Sequence, residues 1–121
     1  MDEVKVVVID DDDSVRWLFQ EMLSLENIPH RAAGTGVEGL ELVSKHKPCL
    51  AIVDIKLGAM NGLEVARQIR ISSADTQILF VTGYDDVLEG KVNEDLPVVA
   101  IIEKPFDVPG LLRLVKSVIT R

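Results

Sequence analysis

The 121-residue sequence has one cysteine, Cys49, and few aromatic residues (4%). A single cysteine excludes an internal disulfide, so stability must come from the apolar residues that make up 47% of the chain. Lysine and arginine number 13 against 20 acidic residues and form no basic block, which argues against direct nucleic-acid binding. No stretch is typical of a signal peptide or a membrane span. These absences favour a soluble, cytoplasmic protein that forms one domain over residues 1–121.

What the sequence does contain is an alternation of short apolar runs and amphipathic helical patterns. Unbroken apolar runs predict strands buried on both faces of a parallel sheet; they cover residues 4–9, 49–53, 78–81 and 98–102, with a weaker edge strand near 30–33. Helical spacing predicts helices over 14–27 and 62–71, a helix that Thr35 caps and that ends before Pro48, and a last helix that starts after Asp107 and Pro109. A further helix, short or irregular, is predicted over 85–96. The pattern indicates an α/β fold with helices on both faces of a parallel sheet. We expect a doubly wound sheet with the five-strand order 2-1-3-4-5.

Four consecutive aspartates follow the first apolar run, at positions 10–13. Two unit charges about 4 Å apart repel by about 4 kcal/mol at the effective dielectric of a protein surface, so the cluster costs stability unless a cation is near. In a sheet of this order, ligands bind where the strand order reverses, at the carboxyl ends of the first and third strands. Asp10 and Asp11 end the first strand and Asp54 ends the third. We therefore expect these three carboxylates to meet.

The other two aspartates precede the first helical pattern. Negative charge is favourable at a helix N-terminus, so Asp12 and Asp13 are expected to stabilise this helix, with Asp13 or Ser14 as its N-cap. Trp17 falls on the side of the helix opposite the apolar stripe and is predicted to be exposed. Its ring either lies over neighbouring side chains or belongs to a binding surface.

The three carboxylates indicate a hard divalent cation, and oxygen ligands favour magnesium. Thr82 and Lys104 follow the fourth and fifth apolar runs, so they are expected at the same edge of the sheet. A hydroxyl donor and an ammonium group suit the oxygens of a phosphoryl group. Asp54 is then the candidate nucleophile, because a carboxylate can form an aspartyl phosphate.

Four stretches resemble, in order and over essentially the whole chain, the signature blocks of the receiver domain of bacterial two-component response regulators: VVVIDDDDSVRW, LAIVDIKLGAMNGLE, ILFVTGY and IIEKPF. The resemblance implies the flavodoxin-like (βα)5 fold over residues 1–121. It also implies a function, namely that the domain takes a phosphoryl group from a phosphohistidine and relays the signal. Catalysis would be limited to Mg²⁺-dependent self-phosphorylation and slow self-dephosphorylation.

Carried over by position, the resemblance assigns roles to individual residues. Asp10 and Asp11 become the acidic pair, with Asp11 the direct Mg²⁺ ligand, and Asp54 becomes the phosphoacceptor. Lys56 is implied as a metal ligand through its backbone carbonyl. The remaining two assignments are Thr82 as the switch hydroxyl and Lys104 as the lysine that contacts the phosphoryl group, followed by Pro105 after a cis peptide bond.

Three features depart from the family pattern. Gly58 stands where the family usually has proline, four residues after the acceptor. Ile101 stands where an aromatic residue commonly rotates inward as the switch hydroxyl engages phosphate, so that relay is not implied here. The Gly-Ala pair common before the fifth strand is also missing.

Receivers of this family dock histidine-bearing helices of their phosphodonors against the first helix. The resemblance therefore implies a histidine kinase or a histidine phosphotransferase as partner, with Trp17 in the interface. No output domain follows Arg121, so we expect either a free-standing phosphorelay intermediate that acts on a downstream phosphotransfer protein, or a receiver excised from a protein with an output domain.

Two other functions stay open at this stage. A Mg²⁺-dependent phosphohydrolase with an aspartyl nucleophile is disfavoured, because Lys56 stands where enzymes of the haloacid-dehalogenase type place a second aspartate. An inert receiver-like scaffold, which binds partners without phosphorylation, is supported mainly by Gly58 and Ile101.

Overall fold

The computed structural model describes residues 3–83, 98–104 and 106–120. The strands are β1 (Val6–Ile9), β2 (His30–Ala33), β3 (Leu50–Asp54), β4 (Lys56–Leu57), β5 (Met60–Asn61), β6 (Gln77–Thr82) and β7 (Val98–Glu103). The helices are α1 (Asp13–Leu25), α2 (Gly36–His46), α3 (Gly62–Ser72) and α4 (Val108–Ile119). The helix predicted over 85–96 and the cis bond predicted before Pro105 lie outside the described residues.

Five strands form one parallel sheet in the order β2-β1-β3-β6-β7. Because β4 and β5 form a separate two-stranded antiparallel hairpin, this order is the predicted 2-1-3-4-5, and the predicted fold class is confirmed. β2 lies at an edge, as its weaker pattern predicted. Every residue of β1 and β3 is buried, which is why β1 and the first four residues of β3 are continuously apolar.

Helices cover both faces of the sheet and create two apolar clusters. Successive side chains of a strand point to opposite faces, so Val7 and Ile9 of β1 join a cluster with residues of α2 and α3. Val6 and Val8 join the other cluster, with residues of α1 and α4. The candidate site is formed at the carboxyl ends of the strands, between the two layers of helices.

The start of α1 differs from the prediction by one residue. Asp12 is the N-cap, not Asp13 or Ser14: its backbone is extended (φ −87°, ψ 116°) and its Oδ1 accepts from the N–H of Ser14 at 2.8 Å. Several consecutive residues here are able to cap a helix, so the pattern could not choose among them. The helix ends at Leu25, before the expected Asn27, which has a left-handed φ of 57°.

The caps of α2 and α4 follow the sequence closely. Thr35 caps α2 as predicted, with its Oγ1 accepting a backbone N–H at 3.1 Å. Asp107 caps α4, so that helix begins at Val108 and not after Pro109. Proline fits the first turn of a helix, because its missing N–H has no intrahelical partner there.

Candidate functional site

The carboxyl ends of four strands meet at one edge of the sheet, and the predicted site residues lie there. Asp10 follows β1, Asp54 ends β3, Thr82 ends β6 and Lys104 follows β7. Asp54 pairs in register with Val81, the neighbour of Thr82. The backbone N–H of Lys104 donates to the carbonyl oxygen of Thr82 at 2.9 Å. Parallel pairing thus brings together residues that are far apart in the sequence.

Three carboxylates converge at this edge. Asp10, Asp11 and Asp54 each offer one oxygen, and these oxygens all lie within 4.8 Å of one another. Asp10 and Asp54 are 2% and 6% exposed, whereas Asp11 is exposed to solvent. Hard oxygen donors that keep one side open to water match the preferences of Mg²⁺, so the residues present fit that ion.

The orientations of the two buried carboxylates are fixed by hydrogen bonds. Oδ1 of Asp10 accepts from the N–H of Asp12 at 2.9 Å, and Oδ1 of Asp54 accepts from the N–H of Lys56 at 3.2 Å. The Nζ of Lys104 lies 3.5 Å from Oδ2 of Asp10 and 3.5 Å from Oδ2 of Asp54. Each carboxylate therefore turns its second oxygen toward the same ammonium group.

The electrostatics of the site oppose two ionised buried carboxylates. Burial raises the pKa of Asp54 to about 6, and the nearby charge of Asp10 adds to this, whereas Lys104 and the N–H of Lys56 act in the opposite direction. Burial also raises the pKa of Asp10. A divalent cation would offset the remaining negative charge.

Arg16 was not among the predicted site residues, but it contacts the turn that carries them. Its Nη1 donates to the carbonyl oxygen of Asp10 at 2.8 Å, and its Nη2 pairs with the carboxylate of Asp13. The signal in the sequence was the spacing of three residues between Asp13 and Arg16, which pairs opposite charges on a helix surface.

The β4–β5 hairpin was also missed, although it carries Lys56. Its turn contains Gly58, with φ of +68°. A proline has φ fixed near −65° and could not adopt this conformation. The turn at position 58 therefore excludes the proline that the family usually has there. The signal was the Gly-Ala pair between Leu57 and Met60, since glycine is the usual first central residue of a type II′ hairpin turn.

The other two expectations concern Thr82 and Ile101. Thr82 is 3% exposed, and its Oγ1 donates to the carbonyl oxygen of Gly83 at 3.2 Å. Ile101, on β7, is 44% exposed. An apolar side chain is thus partly open to solvent where the family commonly has an aromatic one.

Comparisons with known proteins identify the family. A family model described as the response regulator receiver domain matches residues 6–116. Response regulator MprA of Mycobacterium sp. (strain KMS) is 32% identical over 118 residues, which are 98% of this chain and 51% of that protein. The chain therefore belongs to the response regulator receiver domain family, the receiver class of two-component signalling. It spans about half the length of the curated relatives it matches.

Solved structures agree with this fold. A CheY-like response regulator receiver domain from Methanospirillum hungatei JF-1 superposes with a TM-score of 0.88 at 25% identity, covering 98% of this chain and 95% of that one. The signal receiver domain of a LuxO repressor protein from Vibrio parahaemolyticus gives a TM-score of 0.86 at 23% identity, with 98% and 92% covered. In the part of the chain that the structure describes, no helix has the length and apolar character needed to span a bilayer.

Proposed function

We propose that this receiver domain accepts a phosphoryl group on Asp54 from a phosphohistidine of a partner protein, in a Mg²⁺-dependent reaction, and relays the resulting change. The observation that carries the proposal is the setting of Asp54. It is a buried carboxylate with the ammonium group of Lys104 at 3.5 Å, and an oxygen of each of two further carboxylates lies within 4.8 Å of one of its own. Such an arrangement can accept a group that carries negative charge of its own only if cations balance the charge.

Asp10, Asp11 and Asp54 would hold the Mg²⁺ ion, together with the backbone carbonyl of Lys56. The N–H of Lys56 is already bonded to Oδ1 of Asp54, so the backbone at residue 56 borders the site. When bound, Mg²⁺ would offset the charge of the carboxylate and of the phosphoryl oxygens.

In the proposed step, an oxygen of the Asp54 carboxylate attacks the phosphorus atom of phosphohistidine. A P–O bond forms while the P–N bond breaks, and the electron pair of the broken bond stays on the imidazole nitrogen, which takes up a proton. Lys104 faces Oδ2 of Asp54 and is placed to pair with the transferred phosphoryl oxygens. Thr82 would donate its hydroxyl to the same group in place of the Gly83 carbonyl.

The proposed partners are a histidine kinase or a histidine phosphotransferase on one side, and an output domain or a downstream phosphotransfer protein on the other. Trp17 on α1 is 63% exposed, and we place it in the interface with the phosphodonor. The domain would act on itself and not on external substrates, with slow hydrolysis of its own aspartyl phosphate. We further propose that the receiver unit extends over residues 1–121.

Intact mass after incubation with acetyl phosphate and Mg²⁺ tests the proposal. The chain is expected to gain one phosphoryl group, and Asp54→Asn or chelation of the metal should abolish the gain. Asp75→Asn, which removes an exposed carboxylate, is the control and should be phosphorylated normally. Continued catalytic consumption of acetyl phosphate would favour a phosphohydrolase, and absence of any addition to the wild type would favour an inert scaffold.

A further inference from the structure

We infer that Arg16 is a positioning residue for the metal-binding carboxylates, because it fixes the turn between β1 and α1 that presents Asp10 and Asp11. This inference rests on the proposed function, since it gives Arg16 a part in holding the proposed Mg²⁺. Arg16 does not itself contact the metal or the phosphoryl group in this proposal. It acts through the backbone of the turn.

The guanidinium of Arg16 joins three segments of the chain. Its Nη1 donates to the carbonyl oxygen of Asp10 at 2.8 Å, and its Nη2 pairs with Asp13 in the first turn of α1. A Cβ placed on Gly34 would lie 3.0 Å from Nη1, so the guanidinium lies against the backbone that follows β2. With a side chain only 23% exposed, Arg16 is held in one place by its surroundings.

The hydrogen bonds of the turn at residues 10–12 are made by Asp10 and Asp12, the residues on either side of Asp11. The N–H of Asp10 donates to the carbonyl oxygen of Ala33 at 3.1 Å, and its Oδ1 accepts from the N–H of Asp12 at 2.9 Å. Arg16 supplies a donor to the Asp10 carbonyl, in the peptide that leads into Asp11. Because Asp11 is exposed, its position follows the backbone that carries it and not side-chain packing.

Loss of the Arg16 contact would therefore move Asp11 relative to the other two carboxylates. Mg²⁺ requires near-ideal octahedral geometry, so small displacements of its ligands reduce affinity. Residues that orient metal ligands typically account for about 10- to 100-fold in affinity.

A purely electrostatic role for Arg16 predicts the opposite result. Removing a positive charge beside a cluster of carboxylates strengthens their attraction for a divalent cation. The direction of the change in Mg²⁺ affinity therefore separates positioning from charge.

The test uses the full chain and the metal alone, with Arg16→Met, Arg16→Lys and, as control, Arg67→Met. Arg67 makes the same type of pair, with Glu64 three residues earlier on α3, at 3.2 Å. Titration with Mg²⁺, followed by backbone amide shifts in NMR spectra, should show Kd raised by about 10-fold for both Arg16 variants. Lysine keeps the charge but cannot span Asp10 and Asp13 with two planar donors. The Arg67 variant should bind as the wild type does.

A second measurement separates positioning from a loss of folding. The rate of phosphorylation by acetyl phosphate should need more Mg²⁺ to reach half its maximum in Arg16→Met, while the rate at saturating Mg²⁺ returns close to that of the wild type. Unchanged or tighter Mg²⁺ binding in Arg16→Met, or full recovery of affinity in Arg16→Lys, would overturn the inference about Arg16 and leave the proposed function intact. Absence of Mg²⁺ binding by the wild type would overturn the proposed function as well.

Discussion

Asp54 is buried, which disfavours its ionised form, and yet the proposed chemistry needs that ionised form. Its ordinary pKa of 3.8 is raised to about 6 by burial and by the charge of Asp10. A folded-state pKa above the unfolded one means that the folded protein binds a proton more readily. Stability of the metal-free protein should therefore rise as pH falls through about 6, and ionisation of Asp54 costs stability above that pH.

Asp54→Asn is expected to stabilise the metal-free protein above about pH 7 by about 1 kcal/mol, or roughly 4 °C in Tm, because it removes this cost. The advantage should shrink as the pH falls from about 6 toward 3.8, the ordinary pKa of the carboxyl, and vanish below that value, where the carboxyl is protonated in both the folded and the unfolded protein. Thermal unfolding of both proteins across this range gives the measurement, with Asp75→Asn as the control for loss of one exposed charge. An advantage that does not vary with pH would contradict the assigned pKa.

The sequence could place the site residues at one edge of the sheet because the carboxyl ends of neighbouring parallel strands lie side by side. The residues that follow those ends are therefore neighbours in space. The site residues that stand at the ends of apolar runs are Asp10, Asp54, Thr82 and Lys104. The sequence could not give the pKa of Asp54 or the contact of Arg16, because both depend on burial and on distances that appear only when α1 packs on the sheet.

Among the elements, α3 begins in close contact with the backbone at the end of β3, which carries Asp54. A Cβ on Gly62 would lie 2.3 Å from the carbonyl oxygen of Asp54 and 2.7 Å from the Cα of Ile55. The N–H of Gly62 also donates to the carbonyl oxygen of Ile55 at 2.8 Å. Glycine is thus required by close approach of two backbones and not by an unusual φ.

Gly62→Ala should destabilise the protein by about 2 kcal/mol or more, since the contacts are with backbone that cannot move without displacing Asp54. Chemical denaturation measures the change. Ile71→Ala on the same helix, at a side chain that is 80% exposed, is the control and should cost less than about 0.5 kcal/mol. Equal stability of the Gly62 variant and the wild type would show that the end of β3 can adjust.

The lengths and starts of the elements show where sequence patterns stop being informative. Four of the five sheet strands followed from apolar runs, and their order is that expected of a doubly wound sheet. By contrast, β4 and β5 have two residues each, too short for any periodicity. The N-cap of α1 was misplaced because neighbouring aspartates compete for it and only the backbone conformation of Asp12 decides.

For the molecule as a whole, the edge of the sheet and the outer face of α1 belong to one functional surface in the proposed function. The acidic turn at residues 10–12 leads directly into α1, which carries the exposed side chains of Trp17 and Leu25. A phosphodonor that reaches Asp54 from this side would cover both the edge of the sheet and the outer face of α1. Aromatic residues are enriched at protein interfaces.

Trp17→Ala should slow phosphoryl transfer from a histidine-phosphorylated partner by about tenfold, because a central aromatic contact is worth more than about 1 kcal/mol. Phosphorylation by acetyl phosphate should be unaffected, since no partner surface is involved. The control is Val37→Ala, at an apolar side chain on α2 that is 61% exposed. Equal loss in both assays, or in neither, would refute the interface.

The position of Trp17 also has an optical consequence. It is the only tryptophan in the sequence, and its ring is already largely in water when the protein is folded. Its fluorescence emission should therefore lie at long wavelength in the native state and shift little on unfolding. A bound protein that covers the ring should move the emission to shorter wavelength, so the intrinsic signal reports association and not folding.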